Sequence, residues 1–173
     1  LPDLTIKKLT ELFTYPLCDG ARPNCEQAWD TRLGLSAPWD AIWKSLGTPL
    51  SDPTEEKQWR KLVHRATFVH NRTDDKDPAT IRCRLCRQHE ESMLHIIRCT
   101  AAKNYWDKVK WFYRNVLDEP MPARFVEAII LNLQNRRELI SETARAFLRH
   151  AYGAFYTAFT WVDTLGVPFS PLH

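Results

Sequence analysis

The amino-acid sequence predicts a mainly α-helical domain built around one zinc site. Apolar residues recur at helical spacing along most of the 173 residues, and clear helix start and stop signals separate these stretches. Alternating apolar and polar runs, which are typical of strands, are scarce. We therefore expect at most a short β-hairpin, at the zinc motif. The chain is long enough to bury a sizeable core, which seven Trp and eight Phe would make aromatic.

Residues 1–50 are predicted to form an N-terminal helical segment. A short amphipathic helix is expected over residues 1–15, ending before Pro16. A loop then leads to one or two helical turns before Gly34. The next helix opens at Pro38, and its apolar residues follow an i, i+3, i+4, i+7 pattern that favours a place in the core: Trp39, Ile42, Trp43 and Leu46.

The clearest helix start lies at Asp52, a good N-cap, followed by Pro53 at the first helical position. A helix to about residue 69 should follow. One side of it is apolar, with Trp59, Leu62, Val63, Ala66 and Val69. The other side is basic, with Lys57, Arg60, Lys61, His64 and Arg65. Such a face can track phosphates, but an ordinary solvated face has the same composition, and both interpretations stay open.

Residues 70–80 are predicted to form a polar loop that leads to the zinc motif. Asp74 and Asp75 are adjacent carboxylates within it. Adjacent carboxylates in a loop are usually solvated, and a polymerase would need further carboxylates on a sheet, so no catalytic pair is expected here.

The zinc motif has the spacing C-x2-C-x8-H-x3-C, formed by Cys83, Cys86, His95 and Cys99. Two thiols on a tight turn and a His and a Cys one helical turn apart can converge tetrahedrally, and zinc suits this ligand set. Because four protein ligands leave no coordination position for water, the site is expected to be structural, with one Zn²⁺ per chain.

His89 is a competing ligand, but His95 is favoured because it shares a predicted helix, beginning near Ser92, with Cys99. Cys18 and Cys25 are left over and are expected to be buried or free thiols. An odd cysteine count without a secretory signal favours a reduced, metal-binding protein over a disulfide framework.

Basic residues surround the motif. Residues 57–114 contain fourteen Lys and Arg against six Asp and Glu, whereas the whole chain has a net charge of +3. Five of these cations lie beside the ligands in sequence: Arg82, Arg84, Arg87, Arg98 and Lys103. They can offset the negative charge of a three-thiolate zinc centre or reach a phosphate.

Three further helices are predicted, over residues 100–117, 125–133 and 137–164. The resulting division is 1–50, 51–117 with the basic helix and the zinc motif, and 118–173 with C-terminal helices packing on the same core. On the last helix one side carries Arg145, Arg149, Tyr152 and Tyr156. These aromatics can stack on unpaired bases, but a place in the core is the more common outcome.

Several motifs in order resemble a known family. They are Trp39-Asp40-Ala41-Ile42-Trp43, Trp59-Arg60-Lys61-Leu62-Val63-His64, the Cys83 and Cys86 pair, Glu90-Glu91, the His95 and Cys99 pair, and Trp106. Together they resemble the zinc-binding region C-terminal to the polymerase domain in non-LTR retrotransposon reverse transcriptases. The chain departs from that pattern at Met93 and in lacking a glycine after the second Cys, and neither departure touches a ligand.

The resemblance implies a non-catalytic module that holds template RNA or target DNA during target-primed reverse transcription. The polymerase would lie upstream in the same polypeptide, and a chain that starts without methionine is expected to be a fragment. No Pro-Asp followed by an Asp/Glu-x-Lys set is present to build an endonuclease. The alternative is a structural lobe that docks on a larger polypeptide.

No apolar run could span a membrane and no signal peptide is visible, so no membrane partner is expected and a nuclear or cytoplasmic, reducing location is predicted. The sequence does not predict an oligomeric state.

Overall fold

The computed structural model describes residues 24–45, 52–67, 69 and 81–165. The predicted helix over residues 1–15, the loop over residues 70–80 and Cys18 lie outside these ranges. The chain divides into two units, Leu1–Ser36 and Ala37–His173. The earlier division at residues 50 and 117 stays a prediction.

The described part of the chain is helical, which confirms the predicted fold class. Its helices are α1 (Asn24–Leu33), α2 (Trp39–Lys44), α3 (Pro53–Val63), α4 (Met93–Arg98), a 3-10 turn (Thr100–Ala102), α5 (Lys103–Asn115), α6 (Phe125–Leu131) and α7 (Glu142–Leu165). Strand pairing within the described residues is limited to two isolated antiparallel bridges, between Arg82 and Glu90 and between Leu133 and Leu139.

Helix α1 is the described part of the first unit. It has ten residues, more than the one or two turns expected, and its buried side chains include Trp29 and Cys25. It ends before Gly34, whose φ of 64° is the left-handed conformation that glycine adopts without strain. Cys25 is buried, which is one of the two outcomes expected for it.

Helix α3 starts as predicted and ends early. The Oδ1 of Asp52 accepts a hydrogen bond from the Thr54 N–H at 2.7 Å, and Pro53 opens the helix. The helix ends at Val63 because Arg65 adopts φ 56° and the Ala66 N–H donates back to the Lys61 carbonyl. This pair of features is a Schellman motif, formed here without glycine.

Helix α7 packs on α3 and α6 and forms much of the core of the second unit. It begins at Glu142 rather than near residue 137, because Asn135 Oδ1 accepts hydrogen bonds from the N–H groups of Arg137 and Glu138 and forms a turn there. Tyr152 and Tyr156 are buried. The core interpretation of these aromatics is therefore confirmed, and stacking on bases is wrong for them.

A buried ion pair joins α3 to α7. Arg149 is fully buried, and its guanidinium donates to Glu56 Oε2 at 2.5 Å and to the Ser45 carbonyl at 3.0 Å. It also lies 4.1 Å from the ring centre of Trp59, whose Nε1 donates to the Ile129 carbonyl at 3.1 Å. One arginine thus fixes α3, α7 and the end of α2 relative to each other.

Replacing Glu56 by Ala is expected to lower the free energy of unfolding by about 3–5 kcal/mol, because it leaves a fully buried guanidinium without its carboxylate. Urea denaturation followed by circular dichroism measures this loss. The double variant Glu56→Ala, Arg149→Met should recover most of it. A loss below about 1 kcal/mol, typical of surface pairs, would contradict the assignment.

Candidate metal centre

The first two cysteines lie on a tight turn closed by backbone hydrogen bonds. The Cys83 N–H donates to the His89 carbonyl and the Arg87 N–H donates to the Cys83 carbonyl, both at 2.7 Å. Arg87 has φ 59°, which reverses the chain after Cys86. This loop, with its bridge between Arg82 and Glu90, is the limited β structure that the sequence predicts at the motif.

Arg84 and Glu91 fix this turn to α7. Glu91 is fully buried and accepts three hydrogen bonds from Arg84, one from its backbone N–H and two from its guanidinium, at 2.7–3.0 Å. The guanidinium also lies 4.3 Å from the ring centre of Phe159 on α7. Arg84 is only 5% exposed, so its prediction as a nucleic-acid contact is wrong.

The other two candidate ligands come from α4 and the residue after it. Ser92 caps α4, since its Oγ accepts from the His95 N–H at 3.1 Å. The helix then stops, because Cys99 takes an extended backbone with ψ 133° before the 3-10 turn. The expectation that His95 and Cys99 share a helix, and that the next helix runs unbroken from residue 100, is therefore wrong.

The four predicted ligands nevertheless converge. Their ligand atoms all lie within 4.8 Å of one another. Cys83 Sγ and Cys99 Sγ are 3.9 Å apart, and Cys86 Sγ lies 3.4 Å from His95 Nε2. In a tetrahedral zinc site the corresponding distances are about 3.8 Å and about 3.6 Å, so these pairs already have the spacing that a bound ion requires.

His89 lies at the edge of this cluster. Its Nδ1 is 3.8 Å from Cys86 Sγ, and its ring centre is 5.2 Å from that of His95. The set of four that can hold a metal contains His95. His89 is exposed and contacts the cluster from outside, where it can hydrogen-bond the sulfur of a ligand.

The thiols of the cluster differ in their protonation. Burial raises the pKa of Cys83 to about 12 and also raises the pKa of Cys99. Burial acts in the same direction at Cys86, but hydrogen bonds from the Gln88 N–H and from His89 outweigh it and lower that pKa to about 5. A divalent cation would supply the positive charge that converts the two protonated thiols to thiolates.

The candidate nucleic-acid contacts fall into two groups. Four of them line one open groove along α3, away from the buried Trp59 and Leu62: Lys57, Arg60, Lys61 and His64. The buried Glu56 also lines this groove. We call this the α3 basic face. Arg60 Nε also pairs with Glu56 at 3.2 Å, and Arg65 is half-buried at the end of the helix.

The second group lies around the metal cluster. Arg82, Arg87 and Arg98 are exposed, and Lys103 is exposed and paired with Asp107. These four stay predictions as nucleic-acid contacts.

A cavity that the sequence did not predict lies between α3 and α7. Its lining includes Glu55, Gln58, His150 and Trp161. The small residues Gly153, Ala154 and Ala158 at helical spacing on α7 are the sequence feature that could have indicated open space there. Spacing alone does not show which helix those residues face.

No protein-family model, no curated protein and no solved structure matches the chain. None of the helices in the described ranges has the length and apolar character needed to cross a membrane.

Metal binding is expected to release about two protons per ion between about pH 7.5 and pH 8.5, because Cys83 and Cys99 titrate above this window and Cys86 titrates below it. The metal affinity should therefore rise about a hundred-fold per pH unit and fall correspondingly as the pH drops. Isothermal titration calorimetry in buffers of different ionisation enthalpy measures the release. A value near zero or near three would contradict the assignment.

His95→Ala and Cys99→Ser are each expected to lose the bound metal and to lower the melting temperature, because ligand binding is coupled to folding. His89→Ala is the matched control and should retain about one metal ion per chain. Elemental analysis and thermal melting with and without a chelator measure both effects. Loss of the metal in His89→Ala but not in His95→Ala would reverse the ligand assignment.

Proposed function

We propose that this chain is a zinc-stabilised, non-catalytic module that binds RNA or DNA. The observation that carries the proposal is the α3 basic face, where Lys57, Arg60, Lys61 and His64 line one groove while Trp59 and Leu62 on the opposite side are fully buried. A helix with this division presents a row of cations on a rigid support, which is how phosphates are commonly tracked.

Zinc is the metal that best fits the cluster. Three thiols and one imidazole at tetrahedral spacing are typical of structural zinc sites. With all four ligands from the protein, the ion would have no open position for a substrate or an activated water. In this role zinc would hold the turn at Cys83, α4 and the start of the 3-10 turn together.

The resemblance to the zinc-binding region of non-LTR retrotransposon reverse transcriptases supports a more specific proposal. In that setting the module would hold template RNA or target DNA for a polymerase domain upstream in the same polypeptide. The supporting residues are the motifs from Trp39 to Trp106, and among them the four cluster residues have the spatial arrangement that the resemblance requires.

A second function is favoured by a different observation. Helix α5 and the residue that caps its C-terminus expose three large apolar side chains, with Trp111 at 62%, Val116 at 52% and Phe112 at 39% exposure. Exposed aromatic residues are enriched where proteins dock on one another. Under this alternative the chain is a structural lobe, and the α3 basic face is an ordinary solvated surface.

Replacing Lys57 and Lys61 together by Glu separates the two functions. For a nucleic-acid-binding module, affinity for a single-stranded oligonucleotide should fall, and the slope of log affinity against log salt should decrease by about one to two, because each phosphate contact contributes about 0.7–0.9 to the slope. Fluorescence anisotropy between low and moderate salt measures both.

The matched control is Arg136→Glu with Arg137→Glu, which makes the same change in net charge at two exposed residues before α7. It should keep most of the affinity and the salt slope. Equal losses in the two double variants would reduce the effect to net charge and contradict a specific basic face. If neither the unsubstituted protein nor the control variant binds the oligonucleotide at low salt, the proposed function is contradicted.

A further inference from the structure

We propose that the cavity between α3 and α7 receives an unpaired guanine base of the strand whose phosphates lie on the α3 basic face. This inference rests on the proposed nucleic-acid binding and names a base-recognition site within it. The cavity has a volume of about 380 Å³, within the range of small-molecule sites.

The floor of the cavity is formed by small residues of α7. At Gly153 an added Cβ would lie 3.3 Å from Glu55 Cγ, so the two helices pack closely here. Ala154 and Ala158 also line the cavity. The absence of large side chains at these positions leaves an open volume next to helices that are otherwise in contact.

One aromatic side chain that lines the cavity, that of Trp161, lies outside the core. Trp161 lines the cavity and is 56% exposed, unlike Phe155 and Phe159 on the same helix, which are fully buried. An exposed indole beside an open volume offers a stacking surface for a base, and stacking on aromatic side chains is the usual way in which unpaired bases are bound.

Among the polar groups of the cavity, Gln58 and Glu55 offer acceptor oxygens. The Oε1 of Gln58 is buried without a hydrogen-bond partner among the described residues. Glu55 uses Oε1 to contact His150 Nδ1. A ligand that satisfies these oxygens must bring N–H donors, and a buried acceptor left unsatisfied costs free energy. Guanine presents two adjacent N–H donors on its Watson–Crick edge, whereas uracil presents one.

The same oxygens exclude a phosphate. Asp52 and Glu55 both line the cavity, and the Thr54 N–H lowers the pKa of Asp52, which keeps its carboxylate ionised. A phosphate would meet like charge there, but it would meet cations on the neighbouring side of α3, at Lys57 and Lys61. Helix α3 thus separates a surface suited to the phosphates of a nucleic acid from a cavity suited to one of its bases.

The test uses fluorescein-labelled heptamers, with one G at the centre of a U-tract, with A at that position, and all U, together with the corresponding DNA strands. Anisotropy should show the G-containing strand binding at least about five-fold tighter than the all-U strand, as good pairing to a base edge provides. Trp161→Ala should weaken binding of the G strand about ten-fold. The matched control is Trp111→Ala, which removes an equally exposed indole from α5 and should bind normally.

A second variant, Ala158→Leu, fills the cavity without changing charge. It should remove the preference for G and leave binding of the all-U strand unchanged. A G preference that survives this change, an equal affinity for the A and G strands, or equal effects of the two Trp variants would overturn the guanine site while leaving the basic face intact. If Lys57→Glu with Lys61→Glu fails to weaken any strand, the proposed function itself fails, and the base site with it.

Discussion

Two buried guanidinium groups hold the second unit of this protein together. Arg149 on α7 is paired with Glu56 on α3, and Arg84 on the metal turn is paired with Glu91 and rests on Phe159 of α7. A buried charge without its partner costs several kcal/mol, so each pair is tolerated only in the geometry in which its hydrogen bonds are made. Arg149 lies on α7 and Arg84 contacts it through Phe159, so α7 contacts both the basic helix α3 and the turn at Cys83.

This arrangement changes what a metal would contribute. The turn at Cys83 is closed by backbone hydrogen bonds and held by Glu91, so coordinate bonds would not be its only stabilising interactions. Burial keeps Cys83 and Cys99 protonated in the absence of a cation, and neutral thiols are tolerated in a core. The ion would add coordinate bonds to a turn that hydrogen bonds also hold, and it would displace the protons of Cys83 and Cys99.

Much of the candidate site could be predicted from the sequence because it depends on short spacings. Cys83 and Cys86 must lie on one turn, and Asp52 followed by Pro53 must start a helix, whatever surrounds them. The end of α3 could not be predicted, since a left-handed Arg65 carries none of the signal that a glycine would give. The position of Cys99 also depends on the end of helix α4 at Arg98, which no glycine or proline in the sequence marks.

The burial of charges was beyond the reach of the sequence for a different reason. In the sequence Arg84 is one more cation in a basic region. Only the fold shows that its guanidinium is hydrogen-bonded to Glu91. The partner of Arg149 lies 93 positions away in the chain. From composition alone both arginines count as surface charge, although each is buried and paired with a glutamate. The count of fourteen Lys and Arg over residues 57–114 therefore overstates the cations that can meet a phosphate, because it includes Arg84.

The packing of α7 on α3 links the ion pair to the cavity. Gly153 follows Arg149 by one helical turn, and it faces Glu55, the neighbour of Glu56. A Cβ at position 153 would lie 3.3 Å from Glu55 Cγ, so a side chain there would displace the side chain of Glu55, which also lines the cavity. The close packing at Gly153 therefore lies between the buried ion pair and the open volume that Gln58 and Trp161 line. The helix pair that this buried ion pair joins thus carries both the α3 basic face and the cavity.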